Sequence, residues 1–428
     1  MKYIGKKFLS FSELIVNIRR FFDRLGPGLL FASMAIGTSH LVLSTKAGAV
    51  YGPLMIVPIL LANLLKFPFF EFGVRFTHAT QKSLTEGYAA HSRWFLYLYA
   101  LVNLVSAFTI LAALYSVTTG MTVNVFSTLT ASTSTATLGL FVLISVLLIA
   151  GRYKLLEQSL KYIVLILLLA LIATVVLVTA NQKVATLPDF SPPEWFNAVG
   201  VLFIISLVGW MPTAVEASGW VSLWNLEKIK QSTEKITVQS ALREFNLGYL
   251  LTAFLAVLFF YIGYMTLYGS GTILSDNSVK FAAELTGIFT TELGAWANLF
   301  ISIAALAAMF STCLSAHDAL ARVLVDLMQR LNLTRKNPFA AAVLFLALAN
   351  FVVITFFATS MGALIAVATF ASFVFAPVLG YMNHALVFSD QTPAEHRPST
   401  ALKMLSMAGI VFLAAFALYY LYLIAISA

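Results

Sequence analysis

Two short segments hold most of the residues in this chain that are equipped for chemistry. Gly37-Thr38-Ser39-His40 and Gly209-Trp210-Met211-Pro212-Thr213 each interrupt an otherwise apolar run. Glycine weakens a helix, and Pro212 lacks an amide donor and clashes with the preceding turn, so both segments are places where a helix opens and frees backbone groups. Glu216 follows Pro212 by four residues and falls in the first turn of the resumed helix. There the helix dipole favours a carboxylate by about 0.3–1 kcal/mol, and the carboxylate could face a bound cation across the gap. It could equally cap that half-helix or pair with Lys46 or Lys66. His40 is a ligand or a hydrogen-bond partner for a freed carbonyl. Met211 offers a thioether to a soft transition metal or simply fills space. His317-Asp318 is a second polar pair in an apolar run, suited to a proton or ion pathway or to local pairing. Lys66 and Glu71 read as side chains that snorkel or pair near the cytoplasmic side rather than bind substrate.

The elements that must position these residues are membrane-spanning helices. The chain of 428 residues is 60% hydrophobic and 10% charged, with a mean hydropathy of +0.90, whereas soluble domains carry about 25% charged residues. Apolar windows long enough to cross a bilayer fall near 27–50, 53–74, 95–121, 136–151, 158–180, 197–222, 245–269, 295–321, 338–357, 361–382 and 403–427. The expected fold is an all-α polytopic membrane protein of about eleven spans in a lipid bilayer. Loop charge sets its orientation. With the N-terminus inside, the inner loops collect Arg75, Lys82, Arg93, Arg152, Lys154, Lys161, Lys228, Lys230, Lys235, Arg243, Arg322, Arg330, Arg335, Lys336, Arg397 and Lys403, and the outer loops only Lys183 and Lys280. The expectation is an integral protein of a bacterial plasma membrane, N-terminus cytoplasmic and C-terminus external. Residues 1–26, with Lys2, Lys6, Lys7, Arg19, Arg20 and Arg24, lack a cleavable apolar core and read either as a helix on the inner membrane surface or as a solubilising lead-in.

The two interrupted spans each open one half of the chain, 27–181 and 197–382, followed by an eleventh helix at 403–427. Carriers built from inverted five-helix repeats place substrate at mid-membrane, where the first helix of each repeat unwinds. Matched breaks therefore point to a substrate site formed by Gly37, Thr38, Ser39, His40, Val208, Met211, Thr213 and Glu216. Other classes fit less well. The excess of positive charge is scattered over loops, which argues against a nucleic-acid partner. Cys313 is the only cysteine, so neither an intrachain disulfide nor a cysteine-rich metal site exists. Glu216 has no His-Glu-x-x-His or nucleophile motif beside it, so no enzyme is expected.

These residues resemble the Nramp family of divalent-metal transporters, which have a leucine-transporter (LeuT-like) fold. The first span opens with Gly26-Pro27-Gly28. Asn63, Arg75, Thr80, Lys82, Leu84 and Glu86 keep the family's Asn...Arg...Thr-Gly-Lys-x-Leu-x-Glu spacing. Met211-Pro212 begins the family's Met-Pro-His, and Phe281, Ala297, Leu299, Ala304 and Ser311-Thr312 resemble its approach to the eighth span. The likeness covers most of residues 26–325.

The departures fall on the chemistry. The family's Asp-Pro-Gly-Asn metal motif is matched by Gly37, Thr38, Ser39 and His40, so its anionic ligand is gone. The two sixth-span histidines fall at Thr213 and Ser218, and the third span has no Asp or Glu between Trp94 and Phe126. What the resemblance carries over is Met211 as a thioether ligand and Val208 as a carbonyl donor, with His40 matched by position. A divalent ion such as Mn²⁺, Fe²⁺ or Mg²⁺ favours oxygen ligands and usually a carboxylate, which only Glu216 is placed to supply. The expected metal-contacting set is Met211, Glu216 and His40, and the expected coupling or proton path Glu216, His317 and Asp318. The sequence thus points to an Nramp-related secondary transporter, a symporter of a divalent cation working by alternating access with no resident cofactor. The alternative is a LeuT-fold carrier of an amino acid or amine, with Thr38, Ser39, Thr213 and half-helix amides binding a carboxylate. A channel suits the matched breaks less well. Oligomeric state is left open.

Overall fold

The computed structural model describes residues 27–427 apart from 128–131, 152, 181–183, 233–235, 273, 295–296 and 358–359. The basic segment 1–26, Arg152, Lys183 and Lys235 lie outside the described residues. The described residues are mostly helical: Pro27–Ala35 (α1), Ile56–Thr80 (α2), Leu84–His91 (α3), Arg93–Val125 (α4), Thr133–Ile149 (α5), Tyr153–Ala180 (α6), Ala198–Trp210 (α7), Ala217–Gln231 (α8), Val238–Leu267 (α9), Ser278–Leu293 (α10), Ala297–Arg330 (α11), Phe339–Phe356 (α12), Met361–Val387 (α13) and Thr400–Ser427 (α14). Among the described residues, seven helices are long and apolar enough to cross a membrane unaided. Three shorter apolar helices, 133–149, 165–180 and 198–210, correspond to the expected fourth, fifth and sixth spans.

The first expected span is not one helix. α1 stops at Ala35, and the chain resumes as π-helical turns at Ser39–Ser44 and Ala47–Tyr51 before Gly52 turns it with φ +84°. The sixth span is likewise split, α7 ending at Trp210 and α8 starting at Ala217, with a cis peptide bond between Met211 and Pro212. Two helices outside the expected spans complete the fold, α3 and α10. Polar caps mark the loops: Ser83, Ser92, Ser132, Asn197, Thr237, Asn277 and Ser360 each accept a hydrogen bond from a first-turn amide. Such caps supply partners that the first amides of a helix otherwise lack.

Packing holds the broken spans at the centre. α1 and the π-helical turns lie against α9, α4 lies against α11 and α13, and α7 lies against α13. Small residues permit the closest approaches, as is usual where helices meet within a bilayer. A Cβ on Gly48 would lie 2.1 Å from the Phe260 carbonyl, and one on Gly263 would lie 2.3 Å from the Thr45 carbonyl. The second half of the first span and α9 therefore touch backbone to backbone.

Candidate functional site

Because helix propensity fails at Gly37 and at Pro212, α1 ends at Ala35 and α7 at Trp210, and the folded chain brings these ends together. Ser39 Oγ lies 3.2 Å from the Pro212 carbonyl, a direct link between the two breaks. Between them is a cavity of about 30 Å³ lined by residues of both, including Gly37, Thr38, Ser39, Trp210 and Thr213, with Trp220 and Thr312 also facing it. That space suits a bare ion or a water or two better than an organic solute. Thr38 is buried there and its hydroxyl has no hydrogen-bond partner. Gly37 leaves room for Thr312, whose methyl would lie 2.8 Å from a Cβ at that position.

His40 is fully buried and turned toward α9. Its Nε2 lies 2.9 Å from the Thr252 carbonyl and its Nδ1 lies 2.8 Å from the Ser39 hydroxyl. A carbonyl only accepts, so Nε2 carries the proton. The ring does not line the cavity, and both nitrogens are engaged.

The second break carries the charge. Glu216 sits at the start of α8 and is fully buried, but its side chain makes no capping bond to that helix. Instead Oε1 accepts from Ser106 of α4 at 2.6 Å and Ser372 of α13 at 3.1 Å. Trp210 in the cavity wall donates its indole N–H to the same Ser372 hydroxyl at 3.1 Å. Glu216 Oε2 has no partner. The described residues contain three buried carboxylates, Glu71, Glu216 and Asp318, and of these only Glu216 has no cation within 4 Å, since Glu71 pairs with Arg75 and Asp318 with Arg322.

Lys66 does not snorkel. It is 0% exposed, and its ammonium donates to the carbonyls of Val208 at 3.1 Å, Gly209 at 2.9 Å and Thr213 at 2.7 Å. It also attracts the Glu216 carboxylate electrostatically. Sequence reasoning set Lys66 aside as a peripheral residue because its register in the second span is nearer the inner end. The opening of the sixth span brings free carbonyls to it. Ser106 and Ser372 were missed as well, since a lone serine in an apolar helix gives no signal until its partner is known. Lys46, the other lysine in an apolar run, bonds Asp276 at 2.8 Å.

Val208, Met211 and Glu216 border the break without lining the cavity, and the Val208 carbonyl already serves Lys66. His317 and Asp318, adjacent on α11, face different neighbours. His317 lies 2.8 Å from the Tyr115 hydroxyl of α4 and 3.0 Å from the Val343 carbonyl of α12. Asp318 accepts from Arg322 at 2.7 Å and from the Trp224 indole of α8 at 3.0 Å. They thus join α11 to three helices and stand apart from the cavity, which Ala316 of the same helix lines. No group of three or more His, Cys, Asp or Glu side chains converges on one point among the described residues.

Residues 28–423 match the family described as natural resistance-associated macrophage protein-like, Nramp. An uncharacterised protein of Pasteurella multocida is 33% identical over 410 residues, covering 94% of this chain and 92% of its own. Among solved structures, a manganese transporter of Eremococcus coleocola in complex with an aromatic bis-isothiourea compound superposes with a TM-score of 0.71, covering 97% of this chain and 88% of that one at 13% identity. MhsT in complex with L-phenylalanine gives 0.68, covering 94% and 98% at 16% identity. At such identities the two structures establish a shared LeuT-like fold.

Proposed function

The chain belongs to the natural resistance-associated macrophage protein-like (Nramp) family of membrane proteins, and on that premise we propose that it is a secondary transporter that moves a divalent metal cation by alternating access. The observation that carries the reading is Glu216: a buried carboxylate beside the opened sixth span, with one oxygen unpartnered and no ion pair. Carboxylates are rarely left so in a membrane interior unless they serve a cation or a proton. Glu216 supplies the negative charge that Gly37 does not. The Val208 carbonyl, the Met211 thioether and the Thr38 and Thr213 hydroxyls complete a mixed oxygen and sulfur set, with His40 positioning the first break through Ser39. Oxygen and thioether donors together suit Mn²⁺ or Fe²⁺ better than Mg²⁺, and manganese is the ion named for the structurally similar Eremococcus protein. The cation is cargo, and the reading assigns no resident cofactor and no catalytic reaction.

The halves 27–181 and 197–382 act as the two inverted repeats that rock about the breaks, and α14 is added outside them. Protons or another coupling ion pass by Glu216, with His317 and Asp318 as the other intramembrane titratable pair. The orientation is N-terminus cytoplasmic and C-terminus external in a bacterial plasma membrane. Single cysteines introduced near Lys228 and Asp276 should then label from inside and outside respectively, against a silent background because Cys313 is buried. Labelling of both from one side would refute the orientation.

A second reading keeps the fold and changes the cargo. The cavity walls include Ile110, Leu114, Trp210 and Trp220, an apolar lining that suits an amino acid or amine. Calorimetry of the purified protein with Mn²⁺, Fe²⁺ and Mg²⁺ against amino acids and amines decides between them. The metal reading expects saturable Mn²⁺ binding and no binding of the organic solutes; the reverse pattern would establish the organic carrier.

A further inference from the structure

Among the described residues, two ion pairs cross between the halves 27–181 and 197–382. Lys46 Nζ meets Asp276 Oδ1 at 2.8 Å, and Arg330 meets Glu86 at 3.4 Å. The pairs Glu71 with Arg75, Lys228 with Glu244 and Asp318 with Arg322 each stay within one half. The crossing pairs stand near opposite ends of α2, whose 25 residues span about 37 Å at a rise of about 1.5 Å each. Lys46 precedes the turn at Gly52 that leads into α2, and Glu86 lies in α3, just after it. One ionic tie therefore joins the halves toward each end of the bundle.

The Lys46 tie is built into three elements. Asp276 is in the turn before α10, and its backbone carbonyl accepts from the Met361 amide at the start of α13 at 3.0 Å. Its carboxylate is seated against Gly362, where a Cβ would lie 2.6 Å from Oδ1. The Lys46 ammonium also stands 5.9 Å from the ring centroid of Phe281, a fully buried residue of α10. Neutralising a lysine in an apolar run would account for the carboxylate alone. It accounts neither for the seat on Gly362 nor for the backbone bond to Met361, which together gather the first span, α10 and α13 at one point.

We propose that Lys46 and Asp276 form a latch that closes the central cavity toward one end of the bundle, with Arg330 and Glu86 as its counterpart toward the other, so that the carrier opens by breaking one tie while the other holds. Gly37 and Ser39 of the span that carries Lys46 line the cavity, so drawing Lys46 off Asp276 moves the second half of that span away from α13 and opens the way in. Lys46 is 16% exposed and Asp276 68%. The lysine is thus rooted in the bundle while the carboxylate reaches water, and a pair with one solvated partner is weak enough to part and re-form. Rotations that break and remake salt bridges at an interface are a recurrent switching device. Both ties are made in this structure, in keeping with the small volume of the cavity between them. The assignment of faces rests on the orientation proposed above, which makes the Lys46 end external and the Glu86 end internal.

A cysteine at Ile110, in the cavity wall on α4, reports the opening through its rate of reaction with a membrane-impermeant thiol reagent. The rate is read from outside in whole cells and from inside in inverted vesicles, with the chain lacking Ile110→Cys as the background set by the buried Cys313. Lys46→Gln and Asp276→Asn should each speed external labelling at least about threefold. Gly362→Ala keeps both charges but displaces the carboxylate, and should speed it as well. Exchanging the charges with Lys46→Asp and Asp276→Lys together should return the rate toward that of the parent. Higher ionic strength should speed the parent and leave Lys46→Gln unchanged, while Glu86→Gln should speed labelling from inside only. Melting temperatures identify any variant that fails to fold, and Gly362→Ala and the salt dependence of the parent keep the test intact if the charge exchange does. Parental rates from both sides in folded Lys46→Gln and Gly362→Ala would overturn the latch. Faster labelling of those two variants from inside instead would keep the latch and overturn the orientation. External labelling sped by Glu86→Gln would overturn the division of the two ties between the two faces.

Discussion

The two helix breaks are matched in position and opposite in kind. The first, at 37–40, is electrically neutral and held by packing and hydroxyls: Gly37 against Thr312, Ser39 against Pro212, His40 against Thr252. The second, at 211–216, carries a buried ammonium in a carbonyl cage and a buried carboxylate on two serines. Family members place an anion in the first break, and this chain has none there. On the function proposed above, the charge that receives a cation is consolidated on one side of the site. The neutral break then serves as the wall against which the charged one works.

The largest effect should come from disturbing the packing that holds the neutral break. Gly48→Val puts side-chain atoms where the Phe260 carbonyl and Tyr264 amide already are, at 2.1 and 2.7 Å from the first carbon alone. Overpacking of this kind costs about 3 kcal/mol or more, so the variant should lose the monodisperse peak in detergent size-exclusion chromatography. A normal profile would show that backbone contact with α9 does not fix the first span.

Next in size is the support of the charged break. Ser106→Ala with Ser372→Ala strips both donors from Glu216, and hydrogen bonds to a charged group contribute about 1.5–3 kcal/mol each. The double variant should melt several degrees lower and bind Mn²⁺ more weakly than the parent; an unchanged pair of values would mean that the two serines do not hold the carboxylate. Smaller again is His40→Ala, which orphans the Thr252 carbonyl at a cost of about 1–3 kcal/mol. It should lower the melting temperature while leaving Mn²⁺ affinity within about twofold. A tenfold loss would return His40 to the ligand set and erase the contrast between the breaks.

How much of this was legible in the sequence depends on the reach of each signal. Helices and their breaks are local: Gly37, Pro212 and the apolar runs suffice to place them, and the structure splits the first and sixth spans at those residues. Family membership was legible from spaced motifs such as Met211-Pro212. The partners of Glu216 were not, because Ser106 and Ser372 come from the third and tenth spans, and nothing in one sequence says which faces converge. Lys66 is the clearest case. Its register pointed to the inner membrane surface, and only the unwinding of α7 supplies the carbonyls that draw it inward. The helix α10, amphipathic and only 16 residues long, escaped a search tuned to membrane-length apolar windows.

Glu216 bears the central claim, and its replacement by glutamine keeps size and hydrogen bonding while removing the charge. Calorimetric Mn²⁺ affinity and melting temperature measured on the same Glu216→Gln preparation test it most directly. Affinity is expected to fall at least about tenfold, equivalent to about 1.4 kcal/mol, with the protein still folded. Unchanged Mn²⁺ affinity in a folded Glu216→Gln protein would contradict the assignment of the site.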